Sequence, residues 1–437
     1  MVMGGYMEVG TEEFPYTSKL TITMYSEKTS PEIPIYGNKV IAVRNGILDM
    51  HGVPRNPTWT SLSTTANIND ATITLITAVD WQVGEVIVIA PTGYDSTEAE
   101  EKTIVSIDNT NPSNPVITLD SPLSFKHYSG IQTFPSGDFI EMRAEVGLLT
   151  RNVVFRGDPE TSAANQFGAH IMLCSMGDES LIGRIEYIEL RDVGQAFQLG
   201  RYPIHFHMIG TVMNSYVNGN SIHNTYNRAV TIHGVFYLRV TNNLAYNTMG
   251  HTYFIEDGIE TNNFVSNNLA IMTKQSFSLL NTDQTPASFW ITNPDNIYRG
   301  NHAAGSAMYG FWIDTQANPT GPSYDPNVCP NRSPLGEFSN NVAHSNGRYG
   351  LRIFHQLMPV TYPCQAMVYD PTNTTDPYWQ NPLITAHFVN FTSYMNQQNG
   401  AIAEEVGDVR FENFKVADNL IAGIEFSNTD VTMDGTA

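Results

Sequence analysis

Hydrophobic positions along this chain fall in short runs of β-branched and aromatic residues separated by Asn, Gly and Pro, and almost nowhere at the spacing of a helical face. The pattern predicts an all-β protein. Self-similarity then selects among β architectures. Gly210, Gly234 and Gly258 lie 24 residues apart and fall within or close the strand-like runs IHFHMIG, AVTIHGV and TYFIEDG. A uniform step of that size puts Phe206, Val230 and Phe254 in one phase, where they are expected to stack.

A second phase repeats as an apolar residue, an Asn, and a small or apolar residue after it. It reads Val217-Asn220-Ile222, Val240-Asn243-Ala245, Val265-Asn268-Ala270, Tyr298-Asn301-Ala303 and Phe338-Asn341-Ala343, with Asn spacings of 23, 25, 33 and 40. A rung of roughly 22 to 25 residues with loop insertions is what a parallel β-helix requires, three short strands to the turn. Asn at a fixed place can donate and accept along a ladder, and it tolerates a left-handed bend between strands. The runs ASFWI at 287, YGFWI at 309, YGLRI at 349 and AGIEF at 422 carry the repeat towards the C-terminus.

The first third reads differently. GILDMHG at 46, TITLITAVDWQVGEVIVIA at 72 and NPVITLDSPLSF at 114 alternate like antiparallel strands, with the turn-rich DNTNPSNP between the last two. The expected architecture is a β-domain over residues 1–135, capping or packing on a right-handed parallel β-helix, a pectate-lyase-like solenoid, over residues 136–437.

Charge narrows the partners. With 22 Lys+Arg against 43 Asp+Glu the net charge is −21, although only 15% of the 437 residues are charged. Nucleic acid and anionic membrane surfaces both demand a basic face, so neither is an expected partner. No stretch of 18 or more apolar residues is present, which argues against membrane insertion by this segment. The opening MVMGGYMEVGTEEFPYTSK has no basic stretch followed by an apolar one, so the chain reads as a soluble segment of something larger. Of three cysteines, Cys329 and Cys364 flank a Pro-rich insertion and are candidates for a loop-stapling disulfide, with Cys174 a buried apolar residue. Asn331, Asn373 and Asn390 head glycosylation sequons, compatible with secretion.

At this level the residues resemble a known family. IPIYGNKVIAVRNGILDMHG, Trp59 in PTWTSL, DWQVGEVIVIA, YDSTEAEEKTIVSI and ITLDSPLSFKHYSG follow the order of a G8 domain, one that is incomplete at its N-terminus. RYPIHFH, NRAVTIHG, GHTYFIEDGIE and AHSNGRYG resemble the β-helix that follows G8 in fibrocystin-L-like proteins and in the cell-migration-inducing and transmembrane hyaluronidases. The resemblance implies a segment of a larger extracellular, cell-surface or ciliary protein, its partners being a glycan, other surface proteins and the remaining domains of its own chain. Activity does not follow automatically: the hyaluronidases degrade hyaluronan, whereas fibrocystin-L is regarded as receptor-like.

The candidate site is a histidine cluster. His205, His207, His223, His233 and His251 fall within 47 residues, with Glu256, Asp257 and Glu260 beside them. On the 24-residue step His233 and Asp257 share a phase in adjacent rungs, roughly 5 Å apart. A carboxylate that close would orient the imidazole for acid–base work on a sugar, with Glu260 and His205 assisting. Paired carboxylates could instead hydrolyse a glycosidic bond, and rung-on-rung polar ladders could simply satisfy one another. Substrate contacts are assigned to Arg201, His207, Arg228 and Glu256, although Glu256 shares a phase with inward Ile232 and so sits inside or on a bulge. Arg201, Arg228 and Arg239 are the only basic residues between 201 and 262, meagre provision for a polyanion. The Phe and Trp of SFWI and GFWI are expected in the core rather than as sugar platforms.

Metal expectations are negative for zinc and open for calcium. His205 and His207 should emerge opposite Phe206 and line a groove entered at Arg201 and bounded by His233 and Asp257. Two ligands without a third make a poor zinc site, so no metal is assigned to them. Oxygens of residues 256–263 are a candidate Ca²⁺ set. With Arg228 as base, Glu256, Asp257 and Glu260 would also suit pectate-lyase-like chemistry.

Overall fold

The computed structural model describes residues 1–427 apart from 176, 178–179, 278–280, 367–370 and 376–379. Three sheets of eleven, ten and ten strands run side by side, and neighbouring strands in each come from successive turns of the chain. The fold is a parallel β-helix. One turn consists of Val230–Phe236, Arg239–Thr241 and Leu244–Met249, and the next of Tyr253–Ile255, Phe264–Ser266 and Leu269–Lys274.

The solenoid begins far earlier than residue 136. Val2–Met3, Tyr6–Val9 and Leu20–Met24 form its first turn. Val40–Arg44 and Ile47–His51 begin the second, which Val153–Gly157 completes by pairing in parallel with Leu20–Met24. The expected boundary at 135 is thus corrected: residues 2–51 lie in the solenoid, and the chain leaves it between two strands of one turn. A period of two marks a strand but not the direction of its neighbour, which is why GILDMHG read as antiparallel when it pairs in parallel on both sides.

The excursion folds into a six-stranded antiparallel sheet, in the order Trp59–Ser61, Glu145–Leu148, Val86–Ile89, Glu100–Asp108, Val116–Leu119, Thr72–Thr74. One face buries Leu62, Ile87, Ile104, Ile117 and Val146 in a core of its own. Val88, Ala90 and Leu149 pack on Leu244, Leu269 and Ala304 of the solenoid. Polar contacts fix the docking: Trp59 Nε1 donates to Asn267 O at 2.9 Å, and Glu145 meets His302 at 2.6 Å and His344 at 2.9 Å.

Inside the solenoid, alternate residues of the eleven-stranded sheet stack in register. Ile171, Ile204, Val230, Tyr253, Phe289, Phe311 and Leu351 form one inward column, with Phe289 and Phe311 ring centroids 4.6 Å apart. The expected stack of Phe206, Val230 and Phe254 is corrected. Phe206 lies opposite Ile232, Val230 opposite Ile204, and Phe254 on the outer face opposite Thr231. The rungs are unequal, 26 residues from His207 to His233 and then 23 from Thr231 to Phe254, and a one-residue slip moves a side chain to the other face.

Asn220, Asn243, Asn268, Asn301 and Asn341 form a buried ladder. Each Oδ1 from Asn243 onward accepts from the backbone N–H and Nδ2 of the Asn one turn earlier, while each Nδ2 donates to a carbonyl of the preceding turn. The left-handed bend is taken by the residue before, Asn242 at φ 56° and Asn267 at φ 54°. Phe391 replaces the ladder residue near the C-terminal end and packs on Phe338 and Phe414 instead.

Candidate functional site

The outer face of the eleven-stranded sheet carries a cavity of about 650 Å³. Two columns of outward residues supply its floor: Met172, His205, Phe254 and Trp290 from one, and His207 and His233 from the column beside it. The aromatic runs therefore divide, with Phe289 and Phe311 in the core and Trp290 lining the cavity. Leu199 to Arg201 and Ile35 form one rim; Thr320, Gly321 and Pro322 form another, from the insertion that carries Cys329, which is disulfide-bonded to Cys364 in the insertion of the next turn.

Histidines converge at one end. His207 Nδ1 and His233 Nδ1 are 3.0 Å apart, and His233 Nε2 lies 2.7 Å from Asp257 Oδ2. His205 presents Nδ1 to Gly200 O at 3.0 Å, while its buried Nε2 has no hydrogen-bond partner. Glu256 Oε1 accepts from Tyr202 at 3.3 Å, and its Oε2, also without a hydrogen bond, sits 3.3 Å from His233 Nδ1 and 3.9 Å from His205 Nε2. Met208 at φ 52° marks a bulge, after which Gly210 pairs with Val235.

Electrostatics separate these groups. Burial, reinforced by the neighbouring imidazoles, pushes His205 well below the usual histidine range and His207 down to about 4. Burial also opposes charge on His233, but its bond to Asp257 and the Glu256 and Asp257 charges outweigh it and raise the pKa. Asp257 is held low because His233 and Ser323 overcome its burial, whereas burial leaves Glu256 raised. A neutral pair of imidazoles thus adjoins a third that is held by a carboxylate.

Residues 1–63 match the G8 domain family and residues 166–351 the CEMIP beta-helix family. The chain is 41% identical to Fibrocystin-L of Homo sapiens over 461 residues, which cover 97% of this chain and 10% of that protein. Fibrocystin-L of Mus musculus is likewise 41% identical, over 97% of this chain and 10% of its own length. Identity to Cell surface hyaluronidase CEMIP2 of Homo sapiens is 33%, over 80% of this chain and 28% of that protein. The chain is thus similar to Fibrocystin-L, with a G8 match followed by a CEMIP beta-helix match. It spans about a tenth of the length of the fibrocystins-L it matches.

Within this fibrocystin-L-like chain the cavity gathers Arg201, His205, His207, His233, Glu256 and Asp257. Two expected members lie elsewhere. Arg228 is 1% exposed, pairs with Asp283 at 2.8 Å, and places its guanidinium 3.8 Å from the centre of the Phe254 ring, so it supports the floor and does not reach a substrate. Glu260, fully buried, accepts from the backbone N–H groups of Gly234 at 2.7 Å and Gly258 at 2.8 Å, and burial raises its pKa to about 7. It clamps two turns together and takes no part in the cavity. Among the candidate calcium oxygens of residues 256–263, those of Glu260 accept from backbone donors, and Asn263 donates to Val235 O and sits in a ladder with Asn296.

His223 lies on another sheet against Glu189 at 3.2 Å, and His251 accepts from Ala287 N at 3.0 Å. Tyr202, Trp290, Asp314 and Gln316 join the site without having been expected. Tyr202 had a signal in RYPIHFH; Asp314 and Gln316 follow GFWI, whose outward phase places them over the groove. Of the sequons, Asn390 is exposed but occupies a left-handed turn and donates to Asn340 at 3.0 Å, while Asn331 donates to Gln356 at 3.2 Å. No helix among the described residues is long and apolar enough to cross a membrane.

Proposed function

We propose that this chain is part of an extracellular or cell-surface protein and that the cavity on its eleven-stranded sheet recognises a glycan. The carrying observation is the cavity itself, where Phe254 and Trp290 lie among His207, Asp257, Asp314 and Gln316. Pyranose rings offer C–H faces to aromatic surfaces and hydroxyls to polar groups, and such a lining serves both. Arg201 is the one Lys or Arg among its described lining residues, against Glu256, Asp257 and Asp314, which favours a neutral sugar over a polyanion. Similarity to a cell surface hyaluronidase and the Cys329–Cys364 disulfide support an oxidising, extracellular setting, and Asn331, Asn373 and Asn390 are candidate glycosylation sites there.

A second reading, a glycan-degrading enzyme, is favoured by one observation: the His233–Asp257 pair at 2.7 Å on the cavity wall, the geometry of an oriented general base. One experiment separates the two. The purified chain is screened against neutral and acidic oligosaccharides by ligand-observed NMR, and incubated with hyaluronan, with and without Ca²⁺, followed by size analysis. Binding of neutral sugars without depolymerisation supports recognition. Depolymerisation abolished by Asp257→Asn transfers the assignment to catalysis. Absence of both overturns the glycan reading.

A further inference from the structure

We propose that His205, His207, His233 and Glu256 form a binding site for a divalent first-row transition metal, of which Zn²⁺ is the natural probe. A ring nitrogen from each of the three histidines lies within 4.8 Å of the others, and Glu256 Oε2 stands between two of them at 3.3 and 3.9 Å. Nitrogen and oxygen ligands roughly 2.0–2.1 Å from a tetrahedral Zn²⁺ are separated from each other by about 3.3 Å. The observed separations run from 3.0 Å between His207 and His233 to within 4.8 Å for the set, so it is His205 that must close on the other two to reach it.

Two independent features point to a ligand. His205 Nε2 and Glu256 Oε2 are both buried and both lack a hydrogen-bond partner. Orphaned polar atoms of this kind cost free energy unless something meets them; with Nδ1–H of His205 given to Gly200 O, its Nε2 offers a lone pair just as the carboxylate oxygen does, and two acceptors facing one another fit a shared cation. Behind the ligands, the second ring nitrogen of His205 meets Gly200 O at 3.0 Å and that of His233 meets Asp257 at 2.7 Å. Metal-binding histidines characteristically donate their other N–H to a carbonyl or carboxylate, which fixes the tautomer and orients the ring. Three imidazoles with one carboxylate favour Zn²⁺, Fe²⁺, Ni²⁺ or Cu²⁺ over Ca²⁺, which takes six to eight oxygens. The absence of a third ligand, the reason for assigning no metal to HFH, does not hold: the 26-residue rung sets His233 directly opposite His207.

The site lies in the cavity of the glycan reading but does not rest on that reading, because it is tested without any sugar. The chain, stripped with chelator and dialysed, is titrated calorimetrically with Zn²⁺ and with Ca²⁺, and loaded with Co²⁺ for visible spectroscopy. The expected result is one equivalent of Zn²⁺, no Ca²⁺ binding at this site, and Co²⁺ ligand-field bands. His207→Ala abolishes the bands; Asp257→Asn, which leaves the ligands in place, weakens Zn²⁺ binding about 10- to 100-fold; His223→Ala changes nothing. Circular dichroism verifies that each variant is folded. Failure of the wild-type chain to take up a stoichiometric equivalent overturns the proposal, as does full Co²⁺ binding by folded His207→Ala.

Discussion

Arg228 and Asp283, 55 residues apart in sequence, form a two-point ion pair beneath the cavity floor, with Nη2–Oδ2 at 2.8 Å and Nε–Oδ1 at 3.2 Å. Both are buried, so neither charge has water as an alternative partner. Asp283→Ala leaves a guanidinium stranded and should cost about 3–5 kcal/mol, whereas Arg228→Met with Asp283→Leu should recover most of it. Urea unfolding of the three proteins checks this. Equal stability of all of them would mean that Arg228 is free to serve a ligand.

The Asn ladder makes a second prediction. Asn268 Oδ1 accepts from the backbone N–H and Nδ2 of Asn243, and its Nδ2 donates to Val240 O at 2.8 Å. Asn268→Ala orphans these buried groups at about 1–3 kcal/mol each, lowering stability by at least ~2 kcal/mol. By contrast, Asn267→Gly at φ 54°, where the side chain is exposed, should be nearly neutral, since glycine adopts that conformation readily. Thermal melts of both variants would settle the contrast, and a neutral Asn268→Ala would refute the ladder's role.

Acid should loosen the inserted sheet. Burial raises the Glu145 carboxyl, but His344 and His302 outweigh it and hold the group well below its ordinary 4.5. Glu100, buried yet accepting from Ser124 N, Phe125 N, Lys102 and His127, is held down to about 2. A depressed folded-state pKa contributes stability above the unfolded value and loses it as pH falls through the folded one. The inserted sheet and its docking should therefore be intact above pH 4.5; below it the Glu100 contribution to the sheet itself is lost by about pH 2, while the Glu145 contribution to docking declines over a range that ends lower still. Hydrogen exchange of residues 52–152 against pH would show it, and Glu145→Gln should flatten part of the dependence.

The disulfide holds the rim. Cys329 and Cys364 close a 35-residue separation, for which loop-closure entropy predicts about 3–4 kcal/mol. Thr320 N donates to Asp257 O at 2.8 Å, so slackening this insertion reaches the site. Cys364→Ser should lower the melting temperature and speed amide exchange at 320–323. An unchanged melt would show that the insertion is held by its other contacts alone.

Much of this was legible without coordinates. The β-helix follows from repeats of Asn and apolar residues, because a solenoid writes its one-dimensional stacking directly into the chain. The His233–Asp257 contact was legible too, since 24 residues separate two positions that do lie on adjacent turns. The antiparallel character of residues 72–119 was equally plain, while the parallel role of residues 2–51 was hidden by its shared alternation.

What the sequence determined by itself was the repeating unit: three strands per turn, a buried amide ladder, and a polar cluster on one face. The tertiary structure decided which residues meet. Rung lengths of 26 and then 23 residues, set by the Met208 bulge and the turns around it, put His233 and not Thr231 opposite His207, and turned Phe254 outward. Arg228 and Glu260 look like site residues in the chain, yet Asp283 from a distant loop and the backbone of Gly234 and Gly258 claim them. Side chains alternate with a period of two, so register decides every face, and register depends on turn geometry that composition does not encode.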